Sequence, residues 1–159
     1  MAESGNPVIE KDAFDRVVKM LYGLISAGDE RIQLSISSTV VMSTPELSAY
    51  NPNGEYSTPD GRVNDVDGPF ELWEAVEELR AACYRDGTGT WFSARITVTN
   101  TESATARYNY DEEPDFGLGG IDPIAYVTDQ GKFPRGEEHQ PEWLKQRLAE
   151  GQARISGQS

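Results

Sequence analysis

From Phe14 onward, apolar residues recur at helical spacing: Phe14, Val17, Val18, Leu21, Leu24 and Ile25 form one stripe. Asp12 stands where an N-cap would, and Ala27-Gly28 ends the pattern, so this stretch predicts an amphipathic helix with one buried face. The period then changes from 3.6 to 2. In RIQLSISSTVVMS, Ile32, Leu34 and Ile36 alternate with Gln33, Ser35 and Ser37, the signature of a half-buried strand. Residues 44–68 break both patterns. Prolines at 45, 52 and 59 and glycines at 54 and 61 predict turns, with at most one short strand near Glu55-Tyr56.

A second helix is entered through Asp67-Gly68-Pro69, with Leu72, Trp73, Val76, Leu79 and Cys83 inward and Glu71, Glu74, Glu77 and Glu78 outward. The clearest strand pair follows. Phe92, Ala94, Ile96 and Val98 alternate with Ser93, Arg95, Thr97 and Thr99; after a polar Asn100 to Ser103 connection, Ala104, Ala106, Tyr108 and Tyr110 alternate with Thr105, Arg107 and Asn109. This predicts an antiparallel hairpin. Beyond it, Pro114 and the glycines at 117, 119 and 120 predict an irregular loop. A last helix begins at Gln140-Pro141, carries Trp143, Leu144 and Leu148, and ends at Gly151. The sum is one α+β domain over residues 1–159: an antiparallel β-sheet with N-terminal, central and C-terminal helices packed around it, and flexible tails at 1–9 and 152–159.

Charge changes the picture more than composition does. The 159-residue chain holds 27 acids and 14 bases, a net charge of −13, and 16 of the acids against 5 of the bases lie between Glu46 and Asp122. Such a field repels phosphate backbones and anionic membranes, so no direct nucleic-acid partner is expected, and it attracts a basic protein. No apolar run approaches the roughly 20 residues needed to cross a bilayer. The opening MAESGNPVIEKDAF has acids where a signal peptide is basic and has no apolar stretch, so the expected location is the cytoplasm. The single cysteine, Cys83, falls on the apolar side of the second helix and reads as a core residue.

Candidate chemistry is sparse. His139 is the only histidine, set in a polar connection without a nucleophile motif, and reads as a surface residue. The segment VNDVDGPFELWE places Asp65, Asp67, Gly68 and Glu74 at later positions of a calcium-loop pattern, but its first position is Val63. One Cys and one His cannot build a zinc site. GLGG at 117–120 lacks a lysine and is followed by Ile121-Asp122-Pro123 rather than a helix, so it is no phosphate loop. The acids of YNYDEEPDFG, residues 108–117, resemble a catalytic pair only in number, since Glu112 and Glu113 point apart along an extended segment. Asp111 or Glu113 has a basic partner such as Arg107 or Arg135 within reach. No cofactor, no metal and no enzymatic activity are expected.

The order of motifs in the second half carries a resemblance. GTGTWFSARITVTNTESATARYNYDEEPDF, followed by DPIAYVTDQGKFPRGEEHQPEWLKQRL, resembles the bacterial antitoxin or immunity proteins typified by YezG. The matching elements are Trp91-Phe92, Tyr108 through Pro114, Phe133-Pro134-Arg135 and Pro141 through Leu144, with Trp73 and Leu79 in the preceding helix. The match spans residues 69–148; residues 44–68 are longer and richer in turns than in the family's simplest members. The resemblance implies a non-enzymatic protein that binds a cognate toxin domain, often a nuclease, and neutralises it one to one. The expected contact residues are Asp111, Glu112, Glu113 and Asp115, backed by Glu74, Glu77 and Glu78, with an aromatic anchor among Tyr50, Tyr56 and Phe116. The alternative is a calcium-binding or small-ligand domain that uses the 44–68 loop.

Overall fold

The alternating stretches become strands and the apolar stripes become helices in a computed structural model that describes residues 7–157. In chain order the elements are α1 (Pro7–Tyr22), β1 (Arg31–Ser38), β2 (Ser43–Tyr50), β3 (Tyr56–Thr58), β4 (Gly61–Asp65), α2 (Phe70–Ala82), β5 (Ser93–Thr99), β6 (Ala104–Asn109), α3 (Ile124–Lys132) and α4 (Glu142–Ile155). One 3-10 turn, Glu137–His139, precedes α4. The strands form one antiparallel sheet in the order β3-β4-β2-β1-β5-β6, and the protein is α+β.

Register follows from period 2. Ile32 lies opposite Val98, Leu34 opposite Ile96 and Ile36 opposite Ala94, while Ile96 and Val98 face Ala106 and Ala104 of β6. These side chains share one face, where they pack with Val17 and Leu21 of α1 and Leu72, Val76 and Leu79 of α2. Burying each large side chain contributes about 1.5–3 kcal/mol. Cys83 belongs to this core, and burial pushes its thiol up to about 11. The opposite face carries Gln33, Ser35 and Ser37 beside Arg95, Thr97, Thr105 and Arg107, so a one-residue slip would drive charge into the core.

Trp91 and Phe92, adjacent in sequence, point to different cores. Trp91 is buried with α1 and α2, whereas Phe92 joins Phe116, Tyr126 and Leu144. In this second cluster Phe92, Tyr126 and Trp143 meet edge to face, with ring centres 5.3–6.0 Å apart. The two clusters meet across the Trp91-Phe92 dipeptide.

The structure corrects five expectations. The first helix already covers residues 7–11, so Asp12 lies within it rather than capping it, and the apolar stripe is unchanged. Residues 44–68 hold β2, β3 and β4 instead of turns. Pro45 is tolerated because β4 pairs only with Ser48–Tyr50, which leaves the start of β2 as an edge. GLGG is followed by non-helical Ile121-Asp122-Pro123 as expected, but an unanticipated helix, α3, begins just beyond, where the Asp122 carboxylate accepts the Ile124 N–H at 3.0 Å. Gly151 does not end the last helix but lies buried within it, where a Cβ would sit 2.6 Å from the Pro123 carbonyl oxygen and from Val127. Its missing side chain lets α3 and α4 approach. Finally, helix occupies residues 7–9 and 152–155 of the anticipated tails and a turn occupies 156–157, while residues 1–6 and 158–159 lie outside the described ones.

Candidate partner-binding surface

The acidic stretch leaves β6 and is pinned at once by its neighbours. The Asn109 side chain accepts the N–H groups of Asp111 and Glu112 and donates to the Glu112 carbonyl. The Trp143 indole N–H donates to the Asp111 carbonyl at 2.8 Å, tying the segment to α4. Pro114 and Phe116 are buried while Glu113, Asp115 and Gly117 between and beyond them are exposed. The Asp115 carboxylate then accepts the Gly117 N–H at 2.8 Å. The result is a ledge whose backbone is fixed and whose carboxylates face water.

Those carboxylates are not equivalent. Arg147 donates to Glu113 at 2.7 Å and so binds that acid to α4; this hydrogen bond raises the Arg147 pKa above its ordinary value. Asp111 approaches the buried Arg135 at 3.6 Å yet keeps 82% of its side chain exposed. Glu112 and Asp115 remain exposed. Leu118, fully exposed, follows them at the tip of the loop, between glycines of positive φ at 117 and 119. The sequence does not single it out, because GLGG signals a turn and says nothing of which way its leucine points.

Beneath the ledge lies a buried charge network. Arg80 makes a two-pronged ion pair with Asp129 at 2.6 and 2.9 Å and donates to the Trp91 carbonyl. The same carboxylate accepts the Val40 N–H of the β1–β2 turn. Arg135 donates to the carbonyls of His139, Thr90 and Tyr110, and burial holds its pKa below the ordinary value. These cations staple the α3–α4 unit to the sheet; they are not available to a ligand.

The other anticipated acids are elsewhere. Glu74, Glu77 and Glu78 are exposed on α2, which covers the apolar face of the sheet, and Glu78 is paired with Arg16. The ledge instead walls a groove of about 830 Å³ on the polar face, floored by Ser35, Arg95, Arg107 and Asn109. The seven acids therefore form two surfaces separated by the sheet. Of the aromatic candidates, Tyr50 is buried under Arg31 and Phe116 lies in the second core, leaving Tyr56 exposed on β3. His139 is exposed in the 3-10 turn. Asp65, Asp67 and Glu74 do not converge, and no group of three or more His, Cys, Asp or Glu among the described residues is placed to hold a metal ion. No described helix is long and apolar enough to cross a membrane.

No protein-family model matches the chain, and no curated protein does.

Proposed function

We propose that this protein is a cytoplasmic immunity protein of the YezG-like kind, which binds a basic toxin domain one to one and neutralises it without catalysis. The observation that carries the reading is the ledge: backbone pinned from two sides, Asp111, Glu112 and Asp115 facing water, and Leu118 projecting at its end. A preorganised loop loses little entropy on docking, and a charged surface beside an apolar anchor supplies both steering and hold. A nuclease must be basic to grip phosphate, and an acidic ledge complements that surface. The acids of α2 lie too far around the molecule to share the contact and contribute through the long-range field alone.

The test is a pull-down from the source organism with wild-type protein and with the quadruple variant Asp111→Asn, Glu112→Gln, Glu113→Gln and Asp115→Asn. The expected result is capture of a basic protein that is toxic when expressed alone and harmless when co-expressed with wild type. The folded quadruple variant loses both capture and protection. Protection that survives in the variant rejects the ledge as the interface; a captured protein without toxicity rejects the immunity reading.

A further inference from the structure

The polar face of the sheet holds an arrangement that partner binding by the ledge does not use. Arg95 of β5 lies directly opposite Arg107 of β6, on the floor of the groove. Side chains so placed have Cβ atoms about 5 Å apart, and like charges there are destabilising. The chain has ten arginines among 27 acids. Arg16, Arg80, Arg85, Arg135, Arg147 and Arg154 sit in ion pairs, Arg31 lies over the Tyr50 ring, and Arg62 donates to the carbonyls of Gly54 and Glu55. Of the ten, only Arg95 and Arg107 have side chains with no hydrogen bond, ion pair or ring contact to a described residue. In a chain so rich in carboxylates, these two arginines face each other across the hairpin rather than a carboxylate.

We infer that Arg95 and Arg107 together hold one oxyanion group, phosphate or carboxylate, of a small ligand in this groove. Guanidinium groups offer paired N–H donors that match either oxyanion, and two of them flanking one anion turn a repulsive pair into an attractive one. Further donors lie alongside. Ser35 is opposite Arg95 on β1, and Ser93, whose hydroxyl oxygen accepts from Asn109, keeps its own proton to give. The rim limits what enters: Glu46 follows Ser35 across the sheet, and Glu112 and Asp115 stand on the wall. A polyanion would meet that rim and the −13 net charge, whereas a single oxyanion on a neutral or cationic body reaches the floor.

The experiment is an amide-resolved NMR titration of the full chain with sodium phosphate, and separately with acetate, at constant ionic strength. Saturable shifts confined to Ser35, Ser93–Arg95 and Arg107 are expected, with the stronger ion identifying the oxyanion. Arg95→Gln and Arg107→Gln, which retain a dispersed spectrum, weaken the affinity about tenfold each. Absence of saturable shifts with both ions overturns the inference, as do equal shifts in the variants. Competition by a single-stranded DNA oligonucleotide at the same amides would replace the single-oxyanion site with a nucleic-acid surface.

Discussion

Arg80 and Arg135 lie beneath the α3–α4 unit with 3% and 5% of their surface exposed, whereas Arg95 and Arg107 stand in the open on the polar sheet face. The first pair is met by two carboxylates, Asp129 and Asp111, and four backbone carbonyls; the side chains of the second meet no partner among the described residues. Burial explains the contrast. A desolvated guanidinium must have acceptors or the fold fails, so the buried arginines are tied to architecture. A solvated one tolerates vacancy at small cost, and is therefore free to take a ligand. The same distinction separates Glu113, held by Arg147, from Glu112 and Asp115 on the ledge.

The contrast breaks most sharply at Asp129. Asp129→Ala leaves the Arg80 charge buried and unpaired, with an expected loss of about 3–5 kcal/mol in denaturant unfolding. Replacing both partners, Arg80→Met with Asp129→Leu, restores most of that stability; if it does not, the pair is holding more than its own charge. A smaller effect is expected where Gly89 closes over Arg135. Gly89 has φ +93°, and a Cβ there would collide with the Arg135 side chain, so Gly89→Ala costs about 1–3 kcal/mol by thermal unfolding. The smallest is Arg107→Gln, which stays within about 0.5 kcal/mol of wild type and tends toward stabilisation at low salt, because it removes a cross-strand repulsion. A loss as large as that of Asp129→Ala would place the open arginines in the architecture after all.

Much of the fold is legible from pattern. The stripe from Phe14 to Leu21, the alternation from Arg31 and the 93–109 hairpin all appear where the periods place them, because local spacing dictates which face can be buried. Residues 44–65 were hidden because their strands are short, carry proline and glycine, and owe their order to pairing with β1 through β2. The helix α3 was hidden because its nine residues follow a run of glycines, and its burial depends on α4 across Gly151. Of the candidate site, the acids were legible as charge, and their exposed or engaged state was not.

By itself, then, the sequence determined the α+β class, the helical and strand periods, the two-sided character of the central strands and an acidic surface near residues 111–115. These depend on the order of apolar and polar residues over a few positions. Only the tertiary structure decided that Arg80 meets Asp129 across 49 residues, that Arg95 faces Arg107, that the ledge and the α2 acids lie on opposite sides of the sheet, and that Leu118 points outward. Each of these follows from register and packing between distant segments, whose energies arise only once the chain has brought them together.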